Sequence, residues 1–241
     1  MHIPLAMIHL LIHSASAPQP LWVAWHWEPS IGLGLLFLAL VYLWGVGTLW
    51  RRAGINRGVQ YWQVACFLGG ILTILIALLS PLDALSEVLF SAHMVQHLLL
   101  LLVAPPLFVL SRPWAALLWV FPWAVRRQLG RWQCSRPVRY SWQIATLPSV
   151  VWGINTVVLW LWHAPALYQA AVEDEVIHAL EHSSFLVVAT LFWWIVIYPQ
   201  GGRRRYGVSL LYVFLTALQG GILGALLTFS TTLWYPVYAP L

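Results

Sequence analysis

His93 and His97 stand four residues apart in HMVQH, and His178 and His182 repeat that spacing in HALEH. Residues i and i+4 share one face of an α-helix, so each pair would present two imidazoles side by side. Neutral imidazole is the commonest metal ligand and suits copper, zinc and iron. His163, at the end of an apolar run, is a fifth candidate. Two such pairs on facing helices could hold one ion, with His163 as a further or an entry ligand. Met94, beside His93, carries a thioether that favours Cu(I), although it points to a different face from the pair. Gln96, beside His97, and Glu181, beside His182, are candidate acceptors that would fix a ring tautomer. A lone histidine at a membrane interface is usually a packing residue. Two i,i+4 pairs at one depth are harder to ascribe to packing, because polar groups within spans tend to be functional. His2, His9, His13 and His26 are weaker candidates, the middle two because their segment is either cleaved or surface-bound.

Two other chemistries compete for the same residues. HALEH fits the H-x-x-E-H pattern, in which two histidines bind zinc and the glutamate, here Glu181, serves as general base for hydrolysis. Facing histidines on two helices can also ligate a haem axially. The main expectation is a binding protein and not an enzyme, with copper as the metal and zinc or haem as alternatives. A scaffold whose histidines contact a protein partner without metal would carry the same sequence.

The elements that must position these residues are membrane spans. Hydrophobic residues make up 61% of the 241-residue chain and charged residues 8%, against about 25% in an ordinary soluble domain. Six apolar runs are long enough to cross a bilayer: Ser30 to Trp50, Trp62 to Leu79, Val88 to Leu110, Ile144 to Trp162, Ile177 to Tyr198 and Val208 to Phe229. Their continuous apolarity, without alternation, rules out a β-barrel. The expected fold is all-α, a polytopic helical bundle. It comprises an outward N-terminal segment (1–29), a transmembrane bundle (30–229) and an outward C-terminal tail (230–241).

Charge gives the direction. All twelve basic residues are arginines, and they occupy only the loops after the first, third and fifth runs. Arg and Lys are retained in cytoplasmic loops, so these loops are expected inside and both termini outside. The five histidines then lie near the outer surface, and the protein is expected in a bacterial plasma membrane with its site facing the periplasm. Asp83, Glu87, Glu173, Asp174 and Glu175 fall in the outer loops, as acids do when arginine is kept inside. The arginines form no basic face, which excludes nucleic acid as a partner. The lipid bilayer is the expected surroundings, with the 17 tryptophans suited to its interfacial belts. Arg112 to Arg139, rich in Trp and Leu, reads as an amphipathic segment on the inner surface or as a plain loop. Met1 to Ala17 hints at a signal peptide but lacks a positive start. Cys66 and Cys134 form no CxxC pair, and neither a disulfide nor a thiolate site is expected. Pro105 and Pro106 interrupt the third run, and Gly220, Gly221 and Gly224 in the sixth suit close helix packing.

Three blocks, HMVQHLLLLLVAPPLFVLSRP (His93 to Pro113), WHAPALYQAAV (Trp162 to Val172) and HALEHSSFLVVATLFWW (His178 to Trp194), resemble in order and spacing the CtaG family of cytochrome c oxidase assembly factors. The resemblance runs from about Trp25 to Tyr238. It implies a membrane factor for the maturation of a haem–copper oxidase, with copper delivery as its role, oxidase subunits as partners and a periplasmic copper chaperone as a possible donor. It also implies that His93, His97, His163, His178 and His182 are the family's histidines. In that family a seventh span commonly follows a Tyr-Pro-x-Tyr segment. The sequence stops at Leu241, shortly after that segment, so a shortened or truncated member is expected.

Overall fold

Proline marks where the helices begin. Its fixed φ suits the first helical turn, and its missing N–H is not needed there. Pro29, Pro81, Pro113, Pro148 and Pro165 all open helices in the computed structural model, which describes residues 28–199 and 206–230. The signal-like segment, His2, His9, His13, His26, the third arginine loop and the C-terminal tail lie outside the described residues.

The chain forms α1 (Pro29–Ala53), α2 (Tyr61–Leu79), a short α3 (Pro81–Val88) and then the third span, Phe90–Ser111. That span consists of α4 (Phe90–Leu98), a π-helical stretch (Leu99–Val103) and α5 (Ala104–Ser111). Next come α6 (Pro113–Leu117), a 3-10 turn (Leu118–Val120), α7 (Trp123–Gln133) and α8 (Arg136–Ala145). The remainder is α9 (Pro148–Trp162), α10 (Pro165–Glu173), α11 (Glu175–Ile197) and α12 (Tyr206–Phe229). No strand occurs among the described residues. Five helices are long and apolar enough to cross a membrane, or six if α8 and α9, bent by 57°, count as one span.

The fourth span departs from its expected start at Ile144. That residue lies in the last turn of α8, and α9 starts only at Pro148 after an extended Leu147. A residue before proline is pushed out of the α region, so the helix cannot run through this point. The fifteen residues of α9 rise about 22 Å, less than the ~30 Å hydrocarbon core, so the crossing needs part of α8 as well. The Arg112-to-Arg139 region is mostly helical, which fits the amphipathic segment and not the plain loop. Its α7 and α8 leave Trp123, Trp132, Tyr140 and Trp142 exposed.

Helix packing centres on the third span. It lies against α2 on one side and α11 on the other, while α11 also packs against α9 and α10. Tyr42 of α1 stacks on Phe67 of α2, ring centres 3.7 Å apart, with Val46, Leu49 and Ile71 buried around them. Gly45 lets α1 touch α6, since a Cβ there would stand 2.2 Å from the Ala116 carbonyl oxygen. Outward faces carry Leu36, Phe37, Leu40 and Trp44 on α1 and Leu210 and Phe214 on α12, as lipid-facing helices require.

Pro105 and Pro106 leave the third span continuous but change its winding. Without their N–H groups the carbonyls one turn earlier lose their α-helical partners. The chain answers with the π stretch before them, and Trp193 Nε1 of α11 donates to the Leu101 carbonyl at 2.9 Å. The gap in the ladder thus becomes a link between the two helices that carry the histidine pairs.

Candidate metal centre

Local signals fix where each histidine falls. Asp174 caps α11: its Oδ1 accepts from the backbone N–H of Val176 (2.8 Å) and Ile177 (3.0 Å). His178 and His182 therefore occupy the first two turns of α11. An extended Leu89 starts α4, which places His93 and His97 in the first two turns of the third span. His163 is the C-cap of α9, held there because Pro165 opens the next helix at once. Two helices entering and one leaving bring five imidazoles to the same end of the bundle, opposite the arginine-bearing turns at Arg51, Arg52 and Arg112.

The rings converge. Centres of His93 and His97 lie 4.4 Å apart, those of His178 and His182 4.1 Å apart. Across the helices, His93 is 5.5 Å from His178 and 5.9 Å from His182, and His97 is 5.3 Å from His182. His163 joins at 5.7 Å from His97. Its Nδ1 lies 2.8 Å from the Leu159 carbonyl oxygen and must donate to it, so Nε2 is the nitrogen whose lone pair can bind an ion.

Glu181 sits inside this ring of histidines. The sequence suggested a peripheral acceptor; the carboxylate instead shares the centre, fully buried, with Oε2 3.8 Å from His93 Nε2 and Oε1 3.5 Å from His97 Nε2. One donor atom each from His93, His178, Glu181 and His182 lies within 4.8 Å of the others, a four-donor set that could hold a metal ion. Both Glu181 oxygens, both His97 nitrogens and Nε2 of His93 and His182 are buried without a hydrogen-bond partner in the protein. Such atoms each cost free energy unless something satisfies them, and a cation bound by their lone pairs would do so. The chemistry of the donor set therefore fits a compact ion.

Not every residue singled out from sequence faces the centre. Gln96 Nε2 donates to the Ala77 carbonyl (2.7 Å) and to Asp83 Oδ1 (2.8 Å), so the amide ties α4 to α2 and α3 instead of orienting an imidazole. Met94 is half-buried, about 100° around the helix from His93. Sequence reasoning passed over Tyr168 and Phe185. Tyr168, fully buried on α10, stands 5.1 Å from His93, and Phe185, one turn beyond His182, stands 4.8 Å from His97. The i+3 step from His182 to Phe185 was the available signal for the latter. Tyr168 reaches the centre only through the turn at His163, which local periodicity does not encode.

No curated protein and no solved structure matches the chain. A family model does: that of the cytochrome c oxidase caa3 assembly factors (Caa3_CtaG) matches residues 40–241. The match covers most of the chain, which belongs to the family of cytochrome c oxidase caa3 assembly factors.

Proposed function

We propose that this protein binds copper as cargo at the histidine–glutamate centre and passes it to a nascent subunit of a haem–copper oxidase in the plasma membrane. The observation that carries the reading is the compact donor set of His93, His178, Glu181 and His182, with unpartnered buried atoms on His93, Glu181 and His182 and one carboxylate. An assembly factor must hold its ion well enough to exclude others and still release it to a better site. Imidazole and carboxylate without thiolate suit that intermediate grip. The arginine distribution supports a centre on the periplasmic side, where a soluble copper chaperone could load it.

The packing speaks against haem. His93 has three other imidazoles and the Tyr168 ring within 6 Å of its own ring centre, so protein fills the plane that a porphyrin between two axial histidines would need. The zinc hydrolase reading rests on HALEH and separates cleanly from cargo binding. Glu181 acting as a general base could become Gln with hydrolysis lost and metal retained. Glu181 acting as a donor cannot, and Glu181→Gln should weaken copper uptake at least tenfold.

The test is oxidase maturation in cells whose own copy is replaced by His93→Ala/His182→Ala, matched for protein level. The proposal expects oxidase protein that lacks copper, with activity restored by excess copper in the medium. Full copper loading of the oxidase in these cells would overturn it.

A further inference from the structure

We infer that the centre holds two copper ions bridged by Glu181, and that His97 and His163 form the second position. This inference rests on the copper reading above. The four-donor set leaves out His97 and His163, although both are buried at the same centre and their rings are 5.7 Å apart. Neither His97 nitrogen has a hydrogen-bond partner. A structural histidine in an apolar bundle would normally spend at least one nitrogen on a neighbour.

Glu181 connects the two halves. Its Oε2 is nearest the His93 nitrogen of the four-donor set, and its Oε1 is nearest His97 Nε2, outside that set. Neither oxygen accepts a hydrogen bond. A carboxylate with each oxygen turned to a different imidazole is the arrangement that bridges a metal pair, typically about 3.5–4 Å apart. The first ion takes His93, His178, His182 and one oxygen. The second takes His97, His163 Nε2 and the other oxygen. Helix polarity favours the second position further. His163 is the C-cap of α9, whose C-terminal end carries partial negative charge, whereas His178 and His182 lie near the positive N-terminal end of α11.

Charge decides the oxidation state. Glu181 is the sole carboxylate that the structure places in the donor set. Two divalent ions against one carboxylate would leave a triple positive charge in a desolvated site, whereas two monovalent ions leave a single one. The pair is therefore Cu(I), and the geometry provides a loading position and a second position one bridge away.

The experiment is anaerobic loading of the detergent-purified full chain with Cu(I), followed by copper and protein quantification on the wild type, on His97→Ala/His163→Ala and on His178→Ala/His182→Ala. Two ions per chain in the wild type, falling to one in each double variant, are expected. X-ray absorption should show a copper–copper vector in the wild type alone. One ion in the wild type, whether retained in His97→Ala/His163→Ala or lost in both variants, overturns the pair and leaves the copper proposal standing. No ion in the wild type overturns both. The wild-type stoichiometry needs no substitution, so a variant that folds poorly does not blunt the test.

Discussion

A carboxylate that accepts no hydrogen bond is among the most expensive groups to bury, in a bilayer above all. Glu181 is such a group, and around it Nε2 of His93, Nε2 of His182 and both His97 nitrogens also lack hydrogen-bond partners. This sets up opposite effects on stability and on binding. Glu181→Leu should raise the unfolding midpoint of the metal-free protein, by the equivalent of about 1–3 kcal/mol, and should abolish copper uptake. A thermal melt and a copper titration on one preparation check both signs; a lowered midpoint in the metal-free state would mean that the carboxylate has structural partners. Gln96 makes the contrasting case. Gln96→Leu removes the donor to Asp83 Oδ1 and to the Ala77 carbonyl, so stability should fall by about 1–3 kcal/mol, read as a lower denaturation midpoint. Four of the histidines were legible because the i,i+4 rule is local, and His163 because it closes an apolar run. Glu181 was visible in HALEH only as a neighbour, since its central place depends on a facing helix distant in sequence, the one that carries His93 and His97. Gln96 was misjudged for the same reason: its partners come from α2 and α3, and no spacing within HMVQH reveals them.

At the scale of elements, the helices that carry the centre are held by features that look like defects. Pro105 strips a hydrogen bond from the third span, and the Trp193 indole of α11 takes the stranded carbonyl. Trp193→Phe keeps the ring and removes the donor, and should destabilise by about 1–3 kcal/mol. A denaturation midpoint unchanged from the wild type would show that the indole's hydrogen bond to Leu101 adds nothing to stability. Glycine positions divide in a similar way. Gly45→Ala drives a methyl against the Ala116 carbonyl, while the same change at Gly153 of α9 meets nothing within 4 Å and gains helix propensity of up to about 1 kcal/mol. Parallel thermal melts should therefore move in opposite directions. Gly220, Gly221 and Gly224 of α12, read from sequence as packing sites, have no atom within 4 Å of a built Cβ among the described residues. Five of the six spans were legible to within a few residues, because apolar length is a strong signal. The start of the fourth was not: apolarity continues through Ile144 and Leu147, and only the backbone restriction imposed by Pro148 ends the helix there.

For the whole molecule, sidedness and cargo are linked. Arginines confined to alternate loops of the sequence predict that those loops are cytoplasmic and that the histidines open to the periplasm. Cys134, exposed between α7 and α8 on the arginine side, is a natural reporter. A membrane-impermeant maleimide should label it in inverted vesicles and not in right-side-out ones, and the reverse pattern would turn the proposed delivery route around. Family membership, and the bundle itself, were readable from three sequence blocks and six apolar runs. The compactness of the donor set was not, since it arises from the way α9, α11 and the third span meet. The central claim is that this meeting point binds copper. Elemental analysis of detergent-purified protein tests it most directly, wild type beside a variant in which His93, His97, His178 and His182 are all alanine. At least stoichiometric copper is expected in the former and background in the latter; equal copper in the two would overturn copper binding at this centre.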